Sequence, residues 1–254
     1  MTEKFPEKLA GDLPVNLTDT LPNPPPENCL AATDLVDSEH PEVVAFAREH
    51  AVGANPRERA IALYLAVRDG FRYDPYRVDM RAQGMRASRV IENGYGWCSP
   101  KAALLAAACR SVGIPARVGY ADVRNHLSTE RLRQLLSTDI YYWHGYTDIW
   151  LDGAWRKATP AFNIELCERF GLLPLEFDGV SDSIYHPFDK AGNRHMEYLN
   201  QHGAFIDIPL SEMMTTFRAA YPQWAQEGDG DAGSGAKGSI ATSDFLADVA
   251  RENG

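Results

Sequence analysis

Several features are scarce or absent in this 254-residue chain. Only four cysteines occur, and no two are close in sequence: Cys29, Cys98, Cys109 and Cys167. This spacing excludes a disulfide framework and a cysteine zinc cluster. No apolar run approaches the ~20 residues of a membrane-spanning helix, and the first residues lack the basic start and apolar stretch of a signal peptide. We therefore expect a cytoplasmic protein with no membrane contact and with reduced thiols.

Basic residues are also in the minority. The chain has 25 Lys and Arg against 35 Asp and Glu, for a formal net charge of −10. Nucleic acids and anionic membranes are bound by basic surfaces, so we expect neither as a partner. Hydrophobic residues make up 44% of the chain, which is enough for a sizeable core. The length predicts one large domain, or one domain with extensions.

What the sequence does contain is a glycine-broken turn that leads into an apolar helix, in residues 93–105. Gly94 and Gly96 allow a sharp turn just before Cys98. After it, apolar residues recur at helical spacing and predict a helix over residues 98–112: Ala102, Leu105, Ala106, Cys109 and Val112. Gly113, followed by Ile114-Pro115, ends this helix. Cys98 therefore lies in the first helical turn.

This position favours a reactive thiol at Cys98. A helix N-terminus has unpaired N–H groups and a partial positive charge, which lower a thiol pKa from about 8.5 and can stabilise an oxyanion. The alternative is that Cys98 is a small buried hydrophobic residue. Cys109 and Cys167 are interpreted as core residues and Cys29 as incidental. Cys98 and Cys109 cannot form a disulfide, because eleven helical residues span roughly 16 Å.

The surrounding pattern predicts an α+β fold, with helices packed on one face of an antiparallel sheet. Ser38 is the candidate N-cap of a first helix that reaches His50, and Pro56 opens a second helix that ends near Gly70. Downstream strands are expected at 116–123, 140–151 and 154–158, with a short helix or flap within 124–138. Asp152-Gly153 has the composition of a two-residue hairpin turn. Three further helical segments are expected: 165–170, 210–220 and 242–251.

Among the seven histidines, His144 is the best candidate for a base that activates the thiol. It lies inside the predicted strand 140–151, where the alternative is a histidine packed in the sheet. The aromatic residues of this strand are interpreted as core rather than as the lining of a cleft: Tyr141, Tyr142, Trp143, Tyr146 and Trp150. Four other histidines are assigned to the surface or to local capping: His126, His186, His195 and His202.

The hairpin register nominates a third site residue. A two-residue turn at 152–153 pairs Leu151 with Ala154, and the same register places Thr159 diagonal to His144, about 7–8 Å away between backbones. Asp148 points to the same face, but four residues along a strand is roughly 13 Å. The spacing therefore nominates the hydroxyl of Thr159 as the group that orients His144.

Residues from about 41 to 163 resemble the transglutaminase-like superfamily, which has a papain-like fold and includes microbial cysteine proteases. The resemblance is carried by Gly94-Tyr95-Gly96-Trp97-Cys98, by Arg110–Arg117 with Gly119-Tyr120, by His144, and by Trp155–Pro160. It implies a Cys-His-Asp triad with Cys98 as nucleophile and His144 as base. Thr159 stands where the family usually has the aspartate. A hydroxyl can fix the imidazole tautomer but supplies no charge, so Asp178 or Asp182 of the C-terminal extension could replace it.

The resemblance implies a thiol-dependent amide hydrolase or acyltransferase, acting on peptide or protein substrates without a metal or cofactor. Hydrolysis is favoured over cross-linking, since neither a signal peptide nor a calcium-loop pattern is visible. The alternative is a weakly active or inactive binding module that retains the fold. The predicted organisation is a proline-rich arm (1–27), a transglutaminase-like domain with a C-terminal extension (28–225), and a flexible linker and tail (226–254).

Overall fold

The computed structural model describes residues 27–184, 190–192, 195–221 and 243–253. Residues 1–26 of the predicted arm and 222–242 around the predicted linker lie outside these ranges. The helices are α1 (Pro41–His50), α2 (Pro56–Gly70), α3 (Ala82–Met85), α4 (Ala87–Asn93), α5 (Cys98–Ser111), α6 (Glu130–Leu136), α7 (Ile164–Arg169), α8 (Leu210–Ala220) and α9 (Phe245–Asn253). The strands are β1 (Arg72–Tyr73), β2 (Tyr95–Gly96), β3 (Ala116–Asn125), β4 (Ile140–Leu151), β5 (Ala154–Ala158) and β6 (Met196–Phe205).

Prolines open the first two helices, as their positions in the sequence predict. Pro41 and Pro56 are the first residues of α1 and α2. Proline suits this place because the first helical N–H groups have no partner within the helix. His40, rather than the predicted Ser38, caps α1, and the Asn55 side chain caps α2 by accepting from the Glu58 N–H at 3.0 Å.

The main sheet has four antiparallel strands in the order β5-β4-β3-β6. The predicted hairpin is confirmed: Leu151 pairs with Ala154, and the register continues to Thr147 opposite Ala158. Asp152 and Gly153 take positive φ angles of 50° and 83°, as a tight hairpin turn of this kind requires. The α+β prediction is therefore correct. Strand β6 was not anticipated, because its alternation of apolar and polar residues is weak.

Helix α5 is buried along its length from Cys98 to Arg110 and packs against the sheet. Alanine-rich composition permits this close approach, since small side chains leave the backbone accessible to its neighbours. The hydroxyl of Thr147 on β4 donates to the Ala102 carbonyl of α5 at 2.8 Å, and the Ser99 and Tyr120 hydroxyls are 3.1 Å apart. These two hydrogen bonds fix the position of α5 relative to strands β3 and β4.

The last helix, α9, packs on the same domain. The Phe245 ring lies 6.0 Å from the Tyr73 ring and 5.2 Å from the Tyr76 ring, centroid to centroid. Asp248 accepts a hydrogen bond from the Tyr76 hydroxyl at 2.9 Å and pairs with Arg131 of α6 at 3.0 Å. The C-terminal helix therefore contacts the elements that surround Cys98. No helix in the described ranges is both long enough and apolar enough to cross a membrane.

Candidate active site

The chain reaches Cys98 through a sharp turn, as the two glycines predicted. Gly94 ends α4 in the left-handed conformation, with φ 71°. The next two residues form β2, which pairs in parallel with β1, so that Gly96 lies beside Tyr73. Gly96 serves close packing rather than an unusual φ: a Cβ there would lie 3.2 Å from both Lys101 Cγ and Val90 Cγ2.

Lys101 anchors the first turns of α5. Its side chain is fully buried, and the ammonium donates to three backbone carbonyls: Arg68 at 2.9 Å, Phe71 at 2.6 Å and Ala161 at 2.8 Å. Burial lowers the pKa of Lys101 to about 7. The bonds tie the cysteine helix to the end of α2 and to the segment after β5. The sequence signal for this role is a lone lysine within an otherwise apolar helix.

Gly145 brings β4 into contact with the start of α5. A Cβ at Gly145 would lie 2.8 Å from the Ser99 Cα and 3.2 Å from the Cys98 carbonyl oxygen, so no side chain fits there. The Gly145 backbone N–H points to the Cys98 sulfur. Because His144 directly precedes Gly145, this close approach brings the histidine beside the cysteine turn. A glycine inside a strand is a known sign of close backbone approach, so the position of Gly145 within 140–151 is a signal for this contact in the sequence.

Cys98 and His144 line the same cavity. The other lining residues are mostly aromatic or aliphatic and come from β1 and the loop after it, Trp97, α6, β4 and α8 with its C-cap: Tyr73, Pro75, Val78, Trp97, Leu132, Leu136, Tyr141, Tyr142, Phe217 and Tyr221. Tyr141 and Tyr142 thus face the cleft, contrary to the interpretation of these two residues as core. The site is enclosed, since Cys98 is 6% exposed and His144 is 4% exposed.

Burial raises the pKa of Cys98 to about 11. The backbone N–H groups of Gly145 and Ser99 act in the opposite direction, but desolvation of the thiolate is the larger effect. The helix N-terminus therefore lowers the pKa of Cys98 as expected, but in the resting protein desolvation outweighs this lowering. A helix terminus stabilises an anion by a modest amount, whereas removing water from a thiolate destabilises it strongly.

The same effect keeps His144 neutral. Burial lowers its pKa to about 4, with a further contribution from His195. At neutral pH the resting site therefore holds a neutral thiol and a neutral imidazole, not an ion pair. An imidazole in this state is able to accept a proton.

The structure does not give Thr159 the predicted hydrogen bond to His144. Thr159 is buried beyond the last residue of β5, and its Oγ1 has no hydrogen-bond partner among the described residues. Asp178 and Asp182 are both exposed: Asp178 accepts from the Val180 and Ser181 N–H groups, and Asp182 accepts from the Lys157 N–H of β5. Asp148 forms an ion pair with Arg117 at 3.0 Å. Among the described residues, the Thr159 hydroxyl is thus buried and is bonded to no carboxylate.

Two histidines differ from their sequence assignments. His195 is buried, not at the surface, and lies close enough to His144 to lower its pKa. His202 lies in β6, where its Nε2 is 2.6 Å from Asp122 Oδ1. His186 lies outside the described residues. Neither His195 nor His202 could have been placed from sequence, because β6 was not predicted.

The remaining cysteines are buried and unpaired. Cys109 and Cys167 belong to the core, as predicted. Cys29 is also fully buried, so it is part of the packed interior rather than incidental. Cys98 differs from them in lining a cavity together with His144.

Comparison with solved structures gave two similar proteins. One is a proposed cysteine protease from Cytophaga hutchinsonii, with 17% identity and a TM-score of 0.40 over 69% of this chain and 53% of that one. The other is a proposed protease from Parabacteroides distasonis ATCC 8503, with 19% identity and a TM-score of 0.34 over 46% of this chain and 23% of that one. The chain thus spans about half and about a quarter of these two proteins. No curated protein matches it.

The family comparison covers the part of the chain that builds the site. Residues 44–160 match the sequence model of the transglutaminase-like superfamily. This range runs from α1 to the residue after Thr159, and it includes the cysteine helix, His144 and the β4–β5 hairpin. The similarity to the transglutaminase-like superfamily therefore covers the core that carries the candidate site.

Proposed function

We propose that this protein is a thiol-dependent amide hydrolase or acyltransferase that acts on peptide or isopeptide bonds of protein substrates. Cys98 is the proposed nucleophile and His144 the proposed base. The observation that carries the proposal is the shared cavity, which is lined by a thiol at a helix N-terminus and by a neutral imidazole. The match of residues 44–160 to a superfamily that contains thiol enzymes supports the same reaction class.

The raised pKa of Cys98 determines the first step. A thiol with a pKa of about 11 is almost entirely protonated at neutral pH. In the proposed reaction, His144 therefore accepts the thiol proton while the sulfur attacks the amide carbonyl. A carbon–sulfur bond forms, and the carbonyl π electrons move to the oxygen.

The developing oxyanion requires hydrogen-bond donors. The first N–H groups of α5 have no acceptor within the helix, and the Cys98 N–H is the nearest to the sulfur. Tyr73 supplies a second candidate, because its side chain lines the same cavity beside Cys98. Its pKa is raised well above the usual value by burial, so its hydroxyl remains a donor at any working pH.

Collapse of the tetrahedral adduct breaks the carbon–nitrogen bond. The leaving amine takes the proton from the His144 imidazolium, and the acyl group remains on Cys98 as a thioester. A water molecule then gives its proton to His144 and attacks the thioester, which releases the carboxylic acid and restores the thiol. A primary amine in place of water gives acyl transfer. The enclosed, apolar cavity excludes bulk water and so strengthens each of these interactions.

Substitution of Cys98 tests the proposal. We expect Cys98→Ala to abolish amide hydrolysis, followed by mass spectrometry on a peptide library with and without a fluorescent primary amine. Cys167→Ala is the matched control, since it removes another buried, free thiol that does not line the cavity. Native-level turnover by Cys98→Ala would contradict the proposal. The amine arm separates hydrolysis from acyl transfer.

A second candidate function is a binding module that keeps the fold with little or no activity. The observation that favours it is Thr159, a buried hydroxyl without a hydrogen bond among the described residues, where the superfamily usually has a charged partner for the histidine. For this candidate, wild type and Cys98→Ala would bind the same peptides with equal affinity, and neither would turn them over.

A further inference from the structure

The peptide that leads into His144 has an unusual backbone. Trp143, the preceding residue, has a positive φ of 57°, which is uncommon for a bulky side chain. The β3–β4 register changes at this point, because Ala121 pairs with His144 but Val123 pairs with Tyr141. Tyr142 and Trp143 therefore both lie opposite Asp122. This is a β-bulge, a feature often found next to active sites.

The bulge determines which side chains face the cavity. In a regular strand, residues three apart point to opposite faces. Here Tyr141, Tyr142 and His144 all line the cavity, while Trp143 packs against Tyr120 and Phe205. Without the bulge, Tyr141 and His144 would point to opposite faces of the sheet, and the two could not both line the cavity.

A second bulge lies on the other side of β3. Tyr120 pairs with Gly203 and Ala121 with Gln201, so His202 is the extra residue of β6. The rings of His202 and Trp143 stack across β3, with centroids 3.9 Å apart and planes 7° from parallel. Trp143 of the β4 bulge and His202 of the β6 bulge are thus in direct contact.

Asp122 holds both bulges. Its Oδ1 accepts the Trp143 backbone N–H at 3.1 Å and lies 2.6 Å from His202 Nε2. Its Oδ2 accepts from the Asn200 side chain at 3.3 Å. The residue is 7% exposed, so these bonds form largely away from water, where they are stronger. The Trp143 ring is held separately, by donation from Nε1 to Thr216 Oγ1 at 2.9 Å.

We propose that Asp122 is a positioning residue for His144: its carboxylate fixes the Trp143 bulge and thereby aims the imidazole at Cys98. This inference rests on the proposed function, since it assigns His144 the role of base. Asp122 does not line the cavity and does not touch the substrate. It acts through the backbone of Trp143.

The test compares Asp122→Asn with Asp148→Asn. Asp148 is a matched control, because it is also a buried aspartate of the same sheet, on the neighbouring strand β4, and is also bound to a partner, Arg117. We expect Asp122→Asn to lower kcat roughly 10- to 100-fold with KM nearly unchanged, since misplacing a catalytic group costs about this much. Asp148→Asn should reduce melting temperature without a comparable fall in kcat. His202→Phe, which keeps the ring stack and loses the bond to Asp122, should lie between wild type and Asp122→Asn.

A second readout does not depend on turnover. The ring nitrogen and carbon-bound proton signals of His144 in NMR spectra should shift in Asp122→Asn and stay in place in Asp148→Asn. If the wild type has no amide activity, the proposed function fails, but these signals still decide the positioning role. If Asp122→Asn does not fold, His202→Phe provides the same comparison, because it removes a bond to the same carboxylate. A folded Asp122→Asn with wild-type kcat and unshifted His144 signals would overturn the inference.

Discussion

Alkylation of Cys98 gives the most direct check on the electrostatics of the site. The sequence predicts a reactive thiolate at a helix N-terminus, whereas the structure gives a thiol whose pKa burial raises to about 11. The two views predict different alkylation kinetics, because only the thiolate reacts with iodoacetamide. The experiment therefore decides whether the helix terminus or desolvation is the larger effect.

The expected difference is large. At pH 7.5, a thiol with the ordinary pKa of about 8.5 is roughly 9% ionised, whereas one with a pKa of about 11 is roughly 0.03% ionised. Cys98 should thus react about 300-fold more slowly than free cysteine from ionisation alone. Its enclosure in the cavity slows the reaction further. The rate should rise about tenfold per pH unit from pH 6.5 to 9, without a plateau.

The assay is a timed pulse of iodoacetamide, followed by digestion and mass spectrometry of the Cys98 peptide, with free cysteine as reference. Cys109 is the internal control in the same digest, because it is fully buried and its pKa is raised to about 12. It should react more slowly still. Rapid alkylation of Cys98 at neutral pH, with a rate that levels off near pH 7, would refute the reasoning and restore the thiolate expected from sequence.

Four further predictions follow from named contacts. Gly145→Ala should lower both the melting temperature and turnover, because its Cβ would lie 2.8 Å from the Ser99 backbone; Gly70→Ala, which has open space, should be neutral in the same assays. Lys101→Met should cost about 3 kcal/mol or more in denaturant unfolding, since three buried carbonyls lose their donor. Thr159→Asp should raise kcat and the NMR-measured His144 pKa if Thr159 occupies the third place of the triad; an unchanged pKa would exclude that place. His144 has a pKa of about 4 in the folded protein and about 6.5 in the unfolded chain, so the unfolded chain binds more protons between these pH values. The free energy of unfolding should therefore fall by about 3 kcal/mol as the pH drops from 6.5 through 4. This part of the pH dependence should vanish in His144→Gln.

The linear pattern of the chain accounts for most of the elements near the site. Proline positions gave the starts of α1 and α2, apolar spacing gave α5, and Asp152-Gly153 gave the β4–β5 register. These features depend on residues close together in sequence, so local rules suffice to predict them. The family motifs around Cys98 and His144 lie within the same stretch.

The pKa of Cys98 could not be predicted in this way. The helix N-terminus is visible in the sequence, but the side chains that exclude water from the thiol come from α6, β4 and α8, up to about 120 residues away. Desolvation depends on all of these neighbours together. The same is true of Lys101, whose three acceptors come from residues 68, 71 and 161.

The sequence by itself determined the α+β class, the helix that carries Cys98, the strand that carries His144 and the turn between β4 and β5. Only the tertiary structure decided that the thiol is neutral, that Thr159 has no described partner, and that Asp122 joins two bulges beside His144. The physical reason is the distance along the sequence over which each effect acts. Backbone preferences and hydrophobic period act over a few residues, whereas burial and side-chain hydrogen bonding depend on segments that meet only after the chain has folded.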